Sequence, residues 1–280
     1  MAEYKPPRSA SWRFDPKSKA PYRMSRSGLE LFVKCPNCFY IDKRLGVGPP
    51  PIPSFTLNSA VDHLLKKEFD IHRAKETTHP LLEKYGVDAK PVKHEKLEVW
   101  RNTFKGISTL HKKTNIEFYG GIDDLWINSK GEYVVVDYKA TSKEGKVSLD
   151  GFWQQAYKRQ LEIYQWILRQ SGFKVSDLGY FVYCNGKKDL EAFDGKLEFD
   201  IDLIEHKGDS SWVEPALIGA KECLMQDKIP APSEDCELCR FKQAIKNTES
   251  QGENNNIKDK KTAQESSSSN PKKYVPAQLL

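Results

Sequence analysis

From Ser54 to about Arg73 the apolar residues Leu57, Val61, Leu64 and Leu65 recur at three- and four-residue steps, the spacing of one face of an amphipathic helix. An earlier helix is expected where Ser27-Gly28-Leu29-Glu30 suits a capping box and Leu29, Phe32 and Val33 follow at helical spacing, with Cys35 near its end. Between the two, Gly46-Val47-Gly48-Pro49-Pro50-Pro51 breaks the chain into a loop. The period changes over residues 114–141. Two apolar runs, IEFYGGIDDLWI and EYVVVDYKAT, are separated by Asn128-Ser129-Lys130-Gly131, which is hairpin chemistry. A long amphipathic helix from about Gly151 to Gln170, a strand from Leu178 to Cys184 and a helix from Ser211 to about Asp227 follow. Residues 75 to 112 read as polar and irregular, helical only over Leu97 to Phe104.

Both ends lose this patterning. Met1 to Arg26 holds seven Lys or Arg against Glu3 and Asp15, with several prolines, and reads as a basic, disordered arm. After Phe241 the chain turns to Asn, Gln, Ser, Lys and Glu, which cannot bury enough apolar surface to offset ordering entropy. The expected layout is an arm over 1–24, one domain over 25–245 and a disordered tail over 246–280. With 280 residues, 38% of them hydrophobic, the chain can bury one full core. A net charge of +5 permits a nucleic-acid partner without requiring one. No apolar run is long enough to span a membrane and no signal peptide is evident, so a cytoplasmic protein is expected.

The candidate chemistry lies in the hairpin. Val134, Val135 and Val136 are apolar on both faces, as in a central strand, yet the run continues straight into Asp137 and Lys139. Charges at the end of a buried strand are costly unless paired or bound to a cation. A three-residue loop, Ser129-Lys130-Gly131, would pair Asn128 with Glu132 and set Asp123 opposite Asp137 on one face. Two carboxylates at that separation repel unless something positive lies between them, and a divalent metal is the economical answer. A four-residue loop would instead put the two aspartates on opposite faces. On the following helix Trp153, Tyr157, Gln160, Tyr164 and Ile167 share one stripe, which makes Gln160 a polar group in a buried face.

GGIDDLW followed by VVVDYKAT resembles the signature of the PD-(D/E)XK nuclease superfamily, with Asp123 as first acid, Asp137 as second and Lys139 as the lysine. The resemblance extends to His63 in the preceding helix and to Gln160-Leu161-Glu162-Ile163-Tyr164, which looks like the Q-x-x-x-Y element of RecB-like nucleases. It implies an α/β fold with a restriction-endonuclease-like core, a central mixed β-sheet flanked by helices. It also implies that Asp123, Asp137, the Tyr138 carbonyl and His63 hold Mg²⁺ or Mn²⁺, that Lys139 orients water or neutralises charge, and that Gln160 and Tyr164 meet DNA. The activity implied is hydrolysis of phosphodiester bonds in single-stranded or end-containing duplex DNA, as an exonuclease or end processor in repair, recombination or CRISPR-type defence, with a helicase or another repair or defence protein as partner. A site-specific restriction or mobile-element endonuclease and a catalytically silent DNA-binding subunit are the alternatives.

Six cysteines are present. Cys35-Pro36-Asn37-Cys38 and Cys236-Glu237-Leu238-Cys239 each have the spacing of a thiolate clip, and two clips complete a four-sulfur site that would join the N- and C-terminal segments. CPNCFYIDKRLG also resembles the N-terminal cysteine segment of AddB-type helicase-nucleases and CRISPR-associated RecB-like exonucleases, which implies a 4Fe-4S cluster. Those proteins typically divide their cysteines one and three. The two-and-two division here suits Zn²⁺ equally well. Cys184 and Cys223 read as small buried apolar residues.

Overall fold

Ser25 ends one element and starts the next. Tyr22–Ser25 is a strand (β1) that runs directly into helix α1 (Arg26–Lys34), whose cap is the Ser25 hydroxyl accepting the Gly28 amide. The cap therefore falls two residues before the expected Ser27. Helix α1 stops at Lys34 because Pro36 biases Cys35 to an extended backbone, φ −161°, ψ 104°. A second helix, α2 (Pro36–Lys43), then starts on that proline. Helix α3 spans Thr56–Lys75. Its buried face is Leu65, Phe69 and Arg73 with Val61 beside them, while Leu57 and Leu64 point to solvent, so only part of the expected stripe is buried.

Residues 75–112, expected to be irregular, contain α4 (Pro80–Lys84), the short strand β2 (Lys90–Pro91), α5 (Leu97–Arg101) and β3 (Ile107–His111). The run expected as one strand is two, β4 (Ile116–Gly120) and β5 (Asp124–Ile127), which belong to different sheets. Strand β6 (Tyr133–Thr141) follows, then α6 (Gln154–Gln170), β7 (Leu178–Gly186), β8 (Phe199–Lys207) and α7 (Val213–Met225). Strand β8, with an acidic or basic residue at nearly every second position, escapes a search for apolar alternation.

This computed structural model describes residues 12–49 and 55–251 and divides into two units, Met1–Ala231 and Pro232–Leu280. In the second, residues 237–251 are helical. In the first, β1-β4-β3 form a three-stranded sheet and β2-β5-β6-β7-β8 a mixed five-stranded one, in which β6 and β7 run parallel with α6 as the crossover. The chain is an α/β fold, with mixed sheets flanked by helices, the architecture that the resemblance implies.

The five-stranded sheet has a core on each face. Val135, Leu125 and Phe181 pack with Leu161 and Ile163 of α6, Leu29 of α1 and Leu217 of α7. On the other face Val134, Val136, Trp126 and Val182 pack with Leu65 and Phe69 of α3. Part of the expected arm is built in. Phe14 and Met24 are buried, and β1 pairs in parallel with β4, while Arg23 keeps its charge outside by stacking on the Tyr119 ring at 3.7 Å. The rest of the arm, 1–11, and the tail from 252 lie outside the described residues, whereas 246–251 continue the terminal helix.

Candidate active site

The turn decides which aspartate faces where. Asn128 and Glu132 are joined by a backbone hydrogen bond of 3.1 Å, and Gly131 takes φ +70°, the left-handed position a three-residue loop needs. Asp124 then pairs with Val136, and the same register continued by one residue sets Asp123 against Asp137. Side chains alternate along a strand, so Asp137 and Lys139 share the α6 face with Val135, and Tyr138 shares the α3 face with Val136. Adjacent in sequence, Asp123 and Asp124 belong to opposite faces.

Asp137 is wholly buried. The Lys139 ammonium touches one of its oxygens as an ion pair, and neither oxygen receives an aligned hydrogen bond from the described residues. Burial pushes the Asp137 carboxyl up; Lys139 opposes this, and the charge of Asp123 adds to it. For Lys139, burial works downward but the charges of Asp137 and Asp123 prevail and raise it. Asp123 accepts the Tyr138 amide at 3.0 Å on one oxygen and Lys66 at 3.3 Å on the other. A buried carboxylate without aligned donors, opposed by a second carboxylate, is a donor set that suits a divalent cation.

Helix α6 supplies the wall. The Gln160 amide donates to the Tyr164 hydroxyl at 3.1 Å, Lys139 donates to Gln160 Oε1 at 3.4 Å, and the Lys139 ammonium lies 4.6 Å from the centre of the Tyr157 ring. Arg26, at the start of α1, was not picked out from sequence. Burial lowers its pKa, while Tyr164, with which it hydrogen-bonds, and the charge of Asp137 raise it, with a net rise, so a guanidinium stands beside Asp137. Strand β4 ends on Gly120 to admit these groups, since a Cβ there would lie 2.6 Å from a Tyr164 ring carbon and 3.3 Å from Arg26 Cβ.

His63 lies on α3. It is exposed, a helical step of about 100° from the inward face. Asp62 and Lys66 take that side instead: Lys66 bridges Asp62 at 2.8 Å and Asp123 at 3.3 Å, and burial first, then Asp123, raises the Asp62 carboxyl. Spacing along the helix could have pointed to them, because Asp62 and Lys66 flank the Leu65–Phe69 face.

On the opposite face lies a network that sequence reasoning also missed. Asp124, wholly buried, binds Arg73 and accepts Arg101 at 3.1 Å, the Tyr138 hydroxyl at 2.8 Å, the Trp126 indole at 3.3 Å and the Leu125 amide at 2.9 Å. Arg101 also donates to the Asp123 carbonyl at 3.1 Å and pairs with Asp70. The backbone of the first acid is thus fixed by a buried ion-pair network beneath it.

Cys35 and Cys38 stand in the first unit, at the start of α2, and Cys236 and Cys239 in the second, each pair with the two-residue spacing of a thiolate clip that suits a metal. Cys184 and Cys223 are buried elsewhere, their thiols pushed up to about 11 by burial, as expected of packing residues. Among the described residues no helix is long and apolar enough to cross a membrane.

Comparison with known proteins gives a family model, the PD-(D/E)XK nuclease superfamily, matching residues 57–244. No curated protein matches the chain. Among solved structures it is similar to the crystal structure of SSO0001, at 17% identity, with 76% of this chain and 80% of that chain covered and a TM-score of 0.38.

Proposed function

Because the chain belongs to the PD-(D/E)XK nuclease superfamily, we propose that it cleaves DNA phosphodiester bonds with Mg²⁺ or Mn²⁺, as an exonuclease or end processor. The observation that carries this reading is the convergence of Asp123, Asp137 and Lys139 on one face at the end of the sheet. Asp123 and Asp137, with the Tyr138 carbonyl, would hold the divalent metal, which supplies Lewis-acid polarisation of the scissile phosphate and acidifies the attacking water. Lys139 orients that water and neutralises charge developing on the phosphate. Its pairing with Asp137 and its hydrogen bond to Gln160 fix the ammonium for that task. Arg26 and Lys66 add positive charge at the carboxylates, which favours approach of a polyanion. Asp62, rather than His63, is the residue of α3 placed to assist.

End-labelled single-stranded, duplex and circular DNA, each with and without Mg²⁺ or Mn²⁺, tests the reading. Metal-dependent loss of the label from linear DNA, with circles intact, is expected. Cleavage of circles would favour an endonuclease, and binding without cleavage a silent DNA-binding subunit. Tyr164→Phe removes only the hydroxyl that accepts the Gln160 amide. Turnover should fall about tenfold, the equivalent of about 1.4 kcal/mol in the transition state, with the melting temperature within about 2 °C of wild type. Normal turnover with a lower melting temperature would make Tyr164 a packing residue.

The four cysteines are assigned to one metal centre. The resemblance to AddB-type and CRISPR-associated nucleases supports 4Fe-4S, and the two paired clips support Zn²⁺. Anaerobically purified protein is expected to be brown and to bleach on reduction if the cluster is iron-sulfur, or colourless with about one zinc per chain otherwise. Cys236→Ser should lose the metal and melt at lower temperature, since metal binding contributes to folding free energy. A variant that keeps both its metal and its melting temperature would show that the four sulfurs do not act together.

A further inference from the structure

Phe152 and Trp153 are 73% and 59% exposed at the start of α6, their rings edge to face with centroids 5.5 Å apart. A single exposed aromatic residue is ordinary, but two adjacent ones form an apolar patch that contributes nothing to the core. Trp153 already has helical dihedrals, φ −68°, ψ −29°, so positions 153, 157, 160 and 164 run along one face of the helix. At 1.5 Å per residue, Trp153 stands about 6 Å from Tyr157 and about 10 Å from Gln160 along the axis. Cations flank the row. The Lys34 ammonium lies 5.8 Å from the centre of the Trp153 ring, and that of Lys139 lies 4.6 Å from the Tyr157 ring. The row therefore leads from open solvent to the Asp137–Lys139 pair, with rings and positive charge interleaved.

We propose that Phe152 and Trp153 form a stacking platform for unpaired bases of the strand being cut, holding it along α6 so that its backbone reaches the carboxylates. Rings offer faces to any base, and flanking ammonium groups meet phosphates, the combination by which single strands are bound without regard to sequence. A base inside a duplex has both faces covered by its neighbours and cannot use such a platform. The two residues thus favour a single-stranded end over a blunt one. This inference rests on the nuclease reading of the site and extends it to the choice of strand.

The test uses the full chain and a Phe152→Ala/Trp153→Ala double variant. Binding of a labelled 12-nucleotide single strand, of the same strand with abasic positions, and of a blunt duplex is measured in Ca²⁺, and cleavage of single strand and duplex in Mn²⁺. The double variant should bind the single strand at least about tenfold more weakly, the loss of one to two stacked bases. Its duplex affinity should stay within about twofold, and Trp153→Phe should retain most single-strand binding. Abasic substitution should weaken wild type but add little to the defect of the double variant. Unchanged single-strand affinity, an equal loss on duplex, or abasic strands that weaken both proteins alike would overturn the platform. So would a rise in Trp153→Phe to the full defect. If wild type cuts DNA in these assays, only the platform falls; if it neither binds nor cuts any strand, the nuclease reading falls with it.

Discussion

Asp137→Asn should reduce metal-dependent cleavage at least about a thousandfold while leaving the metal-free protein as stable as wild type, or more so. The amide keeps the shape of a fully buried side chain, so no cavity opens, but it removes one of the two charges that would hold the metal. Loss of several kcal/mol of transition-state stabilisation corresponds to a factor of this size. Stability moves the other way because the carboxyl is held above its usual range by burial, with Asp123 adding to it against Lys139. A group with a raised folded pKa binds more protons folded than unfolded, so its charge lowers stability as pH rises through that window, and the advantage of the amide disappears in acid. Activity on labelled single strands and thermal melts at pH 4 and pH 8 measure both effects. Cleavage within tenfold of wild type would remove Asp137 from the site.

Asp124→Ala, one residue from the proposed first acid, should do the reverse of an active-site substitution and strongly destabilise the domain. It removes the carboxylate that binds Arg73, Arg101, the Tyr138 hydroxyl and the Trp126 indole. Two guanidiniums with side chains 9% and 7% exposed are left beside an empty position. Breaking a buried pair in this way costs about 3–5 kcal/mol. For a domain of this size that lowers the melting temperature by about 10 °C or more. Asp123→Ala, by contrast, should abolish activity with a shift of only a degree or two, because Asp123 is partly exposed and sits beyond the end of β5. Thermal unfolding of the two variants side by side checks the contrast. Similar melting temperatures would mean that the pleat does not divide their roles.

Much of this was legible because it depends on short-range rules. Gly131 in a left-handed turn fixes the register, and the register fixes which acid faces Asp137. Helical spacing likewise places Tyr157, Gln160 and Tyr164 on one wall. What escaped notice depends on long-range partners. Arg26 looks like one more charge in a basic arm until β1 pairs with β4 and carries it to Tyr164. Asp124 reads as a second copy of Asp123 until the α3 face of the sheet supplies Arg73 and Arg101. Motif order points to His63, and nothing in that order singles out its neighbour Asp62, whose partner Lys66 also pairs with Asp123. The break at Gly120-Gly121 was hidden because glycine interrupts no hydrophobic run, although here it ends one sheet before the next begins.

The parallel pairing of β1 with β4 joins residues more than ninety positions apart. Closing so long a loop is entropically slow, and the ladder that rewards it does not exist until β4 itself has been made. On a ribosome, Arg26 is therefore synthesised early but reaches its place late, after the chain has emerged past Gly120 and again past Tyr164. A nascent chain halted before that point carries Arg26 without the residues of the proposed cutting centre around it. The order of synthesis thus delays assembly of the centre in a chain whose proposed product is broken DNA.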